Sequence, residues 1–88
     1  MTYAERLKSR LDTTGSALCV GLDPRPDSTE GGIDGIPEFL RRVIGETAEY
    51  AAAFKPNIAY FEAMGLRGLE ILDQLLGEIP KEVPVILD

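Results

Sequence analysis

Residues 16–24 read SALCVGLDP, an apolar run that stops on a carboxylate and a proline. The run, 16–22, predicts a short strand buried on both faces. Asp23-Pro24 ends it, because proline has no N–H to give to a sheet ladder. Two later stretches repeat the pattern. Residues 52–56, AAFKP, form a second apolar run that reaches Lys55 just before a proline. Residues 83–88, VPVILD, form a third, rich in β-branched and aliphatic side chains and ending on Asp88.

Helical patterns fill the intervals. Thr2 and Glu5 have the spacing of a capping box. Tyr3, Leu7 and Leu11 then recur at four-residue intervals, which predicts a helix over about 3–13 with Gly15 as its stop. Residues 24–36, PRPDSTEGGIDGI, predict a long exposed loop. Loops of such length inside compact domains are uncommon and often functional. Pro37 and Glu38 suit the first turn of a helix. Phe39, Leu40, Val43, Ile44, Thr47, Ala48 and Ala51 carry its period to about 51. Ile58 to Phe61 predict one helical turn. A third long helix is expected over about 65–77, with Leu66, Leu69, Leu72, Leu75 and Leu76 inward and Gly77 as its stop. The tyrosines and phenylalanines fall mostly on helix or strand faces and read as core. Cys19, within the first run, reads as an inert buried thiol.

The order α–β–α–β–α–β argues for parallel strands joined by helical crossovers. Parallel strands bring their C-terminal ends to one edge of a sheet. That edge is where open α/β sheets and (β/α)8 barrels bind ligands. Asp23, Lys55 and Asp88 all fall there, at intervals of 32 and 33 residues. An eight-unit barrel of ~250 residues allots about 31 to each unit, so the period fits. The fold class is therefore α/β, about three βα units with parallel strands. Each charge also has a plain reading. Aspartate before proline is common in turns, a lysine can snorkel from a strand end, and Asp88 is the last residue of the sequence. Their shared phase favours a site.

Composition limits the function classes. The 88 residues are 44% hydrophobic and 27% charged, which is globular and allows one domain at most. A net charge of −6 disfavours nucleic-acid backbones and anionic lipid surfaces. It leaves room for a small anionic ligand held by a few placed cations. Histidine is absent and the single cysteine has no neighbours for zinc, so no metal site is expected. The lone thiol fits a reducing, cytoplasmic setting. No apolar run is long enough for a membrane span, and the N-terminus has no secretory pattern.

Weaker patterns remain. Gly31-Gly32-Ile33-Asp34-Gly35 lacks the Gly-Lys-Ser/Thr of a phosphate loop and reads as a flexible loop. Gly65-Leu66-Arg67-Gly68 matches the G-x-x-G of RNA-binding KH modules. Only Arg67 is basic there, between Glu62 and Glu70, so helix packing is the competing role. Arg25 and Asp27 either touch a ligand or face solvent.

Residues 18–26, LCVGLDPRP, resemble the first strand of orotidine 5'-phosphate decarboxylases. Ala53-Phe54-Lys55-Pro56-Asn57, continuing to Tyr60-Phe61-Glu62, resembles their second strand and the turn after it, in the bacterial branch with a Phe-Lys-Pro-Asn signature. Val85-Ile86-Leu87-Asp88 resembles the third strand, where the family motif Asp-x-Lys-x-x-Asp begins. The resemblance covers about 17–88. It implies a (β/α)8 TIM barrel, with 1–88 as one segment, the N-terminal third of an incomplete barrel domain. It also implies a homodimer with active sites at the interface, and conversion of orotidine 5'-monophosphate to uridine 5'-monophosphate and CO2 without cofactor or metal. Carried over by position, Asp23 would accept hydrogen bonds from the nucleoside. Lys55 would bind a ribose hydroxyl and hold Asp88, and Asp88 would lie against the substrate carboxylate. The family's proton-donating lysine falls two positions past Asp88, and its second aspartate five past, outside these 88 residues. The chain alone is thus expected to be inactive. Other readings are a sugar-phosphate decarboxylase with the same Asp-x-Lys-x-x-Asp array, which the Phe-Lys-Pro-Asn stretch argues against, or a non-catalytic interaction or KH-like RNA-binding segment.

Overall fold

Thr2 caps the first helix, as its spacing from Glu5 predicts. Its Oγ1 accepts from the Glu5 N–H at 3.1 Å and donates to Glu5 Oε1 at 3.0 Å. In the computed structural model, which describes residues 2–15 and 18–88, helix α1 spans Tyr3–Thr14. Gly15 ends it at φ 64°, a left-handed conformation that glycine adopts without a Cβ penalty. Strand β1 is Cys19–Leu22. Of the predicted strand, Ser16 and Ala17 lie outside the described residues, as does the Tyr3 side chain of the predicted helical stripe. Helix α2 is Ile36–Thr47, β2 is Ala53–Pro56, α3 is Ile58–Glu62 and α4 is Gly65–Glu78.

The strands pair in parallel, Cys19 opposite Ala53 and Leu22 opposite Pro56. Segment 84–88 lies along the other side of β2. The Phe54 N–H donates to the Pro84 carbonyl at 3.0 Å, Ile86 to Phe54 at 2.8 Å and Asp88 to Pro56 at 3.1 Å. Only the Phe54–Val85 pair forms a regular bridge, so the predicted third strand is an extended segment with one bridge. Pro84 has no N–H of its own for a ladder.

Side chains alternate across a strand. Val20, Leu22, Phe54 and Val85 therefore share a face, and α2 and α4 pack on it through Leu40, Ile44, Ile71 and Leu75. Phe61, Ile36 and Val83 complete this core. Burying a side chain such as Phe54 contributes roughly 1.5–3 kcal/mol relative to exposure. The opposite face is open at β1. This corrects two expectations: β1 is buried on one face rather than both, and Cys19 is exposed. Only the face that meets helices can be buried.

The helices depart from expectation in informative ways. The buried stripe of α4 is Gly68, Ile71, Leu72 and Leu75, continued by Ile79 beyond the helix. At about 100° per residue, Leu66 falls on the far side of Gly68 and Leu69 off the stripe. They are 75% and 44% exposed, not inward as predicted. Helix α4 also runs through Gly77, and Ile79 stops it in an extended conformation. The residue before a proline, here Pro80, is pushed out of the helical region. Helix α2 ends at Thr47, four residues short of the expected 51, where Tyr50 and Ala51 both donate back to the Thr47 carbonyl. Phe39 and Tyr50 are exposed rather than core. The predicted long loop, 24–36, contains two 3-10 turns, Pro26–Ser28 and Gly32–Gly35, the second within the stretch expected to be flexible. Arg41 on α2 forks onto Glu78 of α4 at 2.8 and 3.1 Å, and that hydrogen bond and charge raise the arginine pKa.

Two arginines hold α1 to this framework, since Leu7 and Leu11 are only half-buried. Arg6 donates to the Lys81 carbonyl at 2.9 Å. Arg10 donates to the Ala51 carbonyl at 2.9 Å and to that of Ala48, taking up free carbonyls after α2. Hydrogen bonds from charged groups contribute about 1.5–3 kcal/mol. Arg10→Ala is therefore expected to lower the melting temperature by several degrees. Arg10→Lys should restore only part of the loss, because an ammonium cannot fork onto both carbonyls. Thermal denaturation of the variants checks this, and equal melting of Arg10→Ala and the parent would contradict it.

Candidate active site

Lys55 is the third residue of β2, so it leaves the sheet on the open face, opposite Gly21. Asp88 leaves segment 84–88 beside it. Lys55 Nζ lies 3.8 Å from Asp88 Oδ2. The main chain fixes both carriers. Asp88 donates to the Pro56 carbonyl, and its own carbonyl accepts from the Ile58 N–H at 2.8 Å. Asn57 donates through its N–H to the Leu22 carbonyl at 3.2 Å, and its Oδ1 caps α3 by accepting from Ala59 at 3.2 Å. The turn after Lys55 is thus tied to β1 and to segment 84–88.

The two side chains are 45% and 59% exposed. Exposed ion pairs contribute only ~0–1 kcal/mol to folding. The pair therefore has little value as a brace, and its charges remain available to a ligand. Asp23 stands one residue past β1 at the same edge and is exposed, but it does not join the pair. A Cβ added to Gly21 would meet only Asp23 Oδ2, at 3.9 Å. Position 21 therefore leaves open space between Asp23 and the strand that carries Lys55. The structure brings Lys55 and Asp88 into contact and sets Asp23 at the edge beside them. Such an array can bind the hydroxyls of a polar ligand and present negative charge to it.

One feature was not legible in the sequence. Arg25 is exposed, yet its Nη2 donates to Tyr60 Oη at 3.0 Å and its guanidinium carbon lies 5.3 Å from the Tyr60 ring centre. The partners are 35 residues apart, so no local pattern marks them. The G-x-x-G stretch opens α4, and Gly68 is buried against α3. That is the packing role, not an exposed loop. Among the described residues, no three His, Cys, Asp or Glu side chains stand close enough to hold a metal ion. No helix there is long and apolar enough to cross a membrane.

No family model matches the chain. Individual relatives do. Orotidine 5'-phosphate decarboxylase of Dehalococcoides mccartyi is 40% identical over 88 residues, which is all of this chain and 32% of the relative. The bifunctional enzyme PyrF/PyrE of Nostoc sp. is 38% identical over 94 residues, again all of this chain and 20% of the relative. Among solved structures, Leishmania donovani OMP decarboxylase superposes with a TM-score of 0.85 at 41% identity, covering 100% of this chain and 33% of that one. The chain spans one fifth to one third of the length of these relatives. The parallel strands with their covering helices are thus part of the barrel of such proteins. By sequence and by fold the whole chain is similar to a part of the orotidine 5'-phosphate decarboxylases.

Proposed function

We propose that this chain supplies one part of the active site of an enzyme that decarboxylates orotidine 5'-monophosphate to uridine 5'-monophosphate. The observation that carries the reading is the Lys55–Asp88 pair, 3.8 Å apart on the open face of a sheet that matches this family. Residues 1–88 form a single segment, the first third of the barrel domain, and the enzyme is a cytoplasmic homodimer.

Asp23 accepts hydrogen bonds from the nucleoside. Lys55 donates to a ribose hydroxyl and holds Asp88. The Asp88 carboxylate lies against the substrate carboxylate. Like charges at 4 Å repel by about 4 kcal/mol at an effective dielectric constant of 20. That repulsion raises the bound ground state and vanishes when the C6–carboxylate bond breaks and CO2 leaves. The electron pair left on C6 takes a proton from an ammonium, which the family pattern puts two positions past Asp88. No residue within 1–88 fills that role, so the 88-residue chain alone is inactive.

The full product of the gene is assayed for loss of orotidine 5'-monophosphate absorbance, beside the 88-residue chain. Turnover by the full product and none by the short chain is expected. A well-folded full product without turnover overturns the proposal, and turnover by the short chain overturns its last clause.

A further inference from the structure

We propose that Arg25 and Tyr60 form a positioning strap that sets Asp23 relative to the Lys55–Asp88 pair. The inference rests on the decarboxylase reading for the role of Asp23, and on geometry for the strap itself.

Arg25 follows Asp23 by two residues, at the start of the long loop after β1. Tyr60 follows Lys55 by five, on α3. The hydrogen bond at 3.0 Å and the guanidinium over the ring at 5.3 Å therefore join the arm carrying Asp23 to the arm carrying Lys55. Among the described residues this is the one side-chain hydrogen bond that links the loop to α3. Each end is itself fixed. The Arg25 carbonyl accepts from the Ser28 N–H at 3.0 Å and from Thr29 Oγ1 at 2.8 Å, which folds the first turn of the loop around it. Tyr60 sits on a helix capped by Asn57, whose N–H is bonded to β1. On either side of Asp23, Leu22 at the end of β1 and Pro24 are buried, so Asp23 is an exposed carboxylate on a chain pinned on both sides. The strap also walls an open cleft of about 520 Å³, with Asp27, Ser28, Ile33 and Met64 around it.

A simple surface contact would do no more than steady the loop. A positioning role predicts an effect on substrate binding, read as KM. Arg25→Ala, Tyr60→Phe and the double variant are made in the full gene product. The strap combines a cation–π contact with a hydrogen bond, and its loss should raise KM for orotidine 5'-monophosphate about tenfold, with kcat changed much less. Tyr60→Phe keeps the ring and should show a smaller rise. The double variant should be no worse than Arg25→Ala, because the two side chains act as one unit. Hydrogen exchange gives a readout that needs no turnover. In Arg25→Ala, amides of 23–29 and 57–62 should exchange faster while the remaining core is unchanged. An active parent whose variants keep its KM overturns the proposal. So does unchanged exchange in both segments. A parent without turnover sinks the decarboxylase reading, and the exchange data then decide the strap on their own.

Discussion

Asp88→Asn in the full gene product is expected to lower kcat/KM for orotidine 5'-monophosphate by about 10²–10³-fold, the scale of losing one preorganised electrostatic group. The substitution keeps size and shape and removes only the charge that, in the proposed function, faces the substrate carboxylate. Lys55→Ala should cost a similar factor, because it removes the proposed contact to the ribose and leaves Asp88 without its ion-pair partner. The double variant should fall well short of the product of the single losses, since the residues touch at 3.8 Å and act together. Stability should hardly change. Both side chains are about half exposed, and an exposed pair contributes ~0–1 kcal/mol. Steady-state kinetics with parallel melting curves separates the two effects. A large fall in melting temperature with little change in turnover would mean that the pair is a brace and not part of a site.

Gly68→Ala should have a large effect on folding. Two terms oppose each other. In a helix interior, alanine is favoured over glycine by ~1 kcal/mol. Against that, a Cβ at position 68 would lie 2.0 Å from the Phe61 carbonyl oxygen and 2.7 Å from Met64 Cβ. The first partner is backbone and cannot swing aside. It also accepts the Met64 N–H at 3.1 Å, within the turn between α3 and α4. Overpacking of this kind costs about 1–3 kcal/mol and sometimes more. The clash wins, so Gly68→Ala should be destabilised and the nearby Phe61 core disturbed. Gly77→Ala is the control, because nothing lies within 4 Å of a Cβ there. Equal stability of the two variants by urea denaturation would contradict the packing role of Gly68.

What the sequence revealed was local or periodic. The Thr2 cap and the Gly15 stop depend on neighbours within a few residues. The strand ends at Asp23, Lys55 and Asp88 follow from where apolar runs meet charge and proline. Their shared edge follows from parallel topology alone. What stayed hidden depends on which surface meets which. Cys19 lies in an apolar run, but β1 packs against helices on one face only. Leu66 and Leu69 look like core by type, yet the buried stripe of α4 is set by the contact of Gly68 with α3. Arg25, in the loop after β1, meets Tyr60 on α3, and nothing near either residue announces the other. Helix α2 gives way at Thr47 because the chain must turn to enter β2, which the alanines of 48–53 do not signal. In the site, the sequence identified which charges share an edge. The structure added that Lys55 and Asp88 stand 3.8 Å apart and that Asp23 lies exposed one residue past β1.

The most direct test exchanges the matching segment of Dehalococcoides mccartyi orotidine 5'-phosphate decarboxylase for this chain. If the chain supplies that part of the active site, the chimera should fold and decarboxylate orotidine 5'-monophosphate, and Asp88→Asn within it should abolish most of that turnover. A chimera that melts cooperatively like its parent but releases no CO2 would contradict the account.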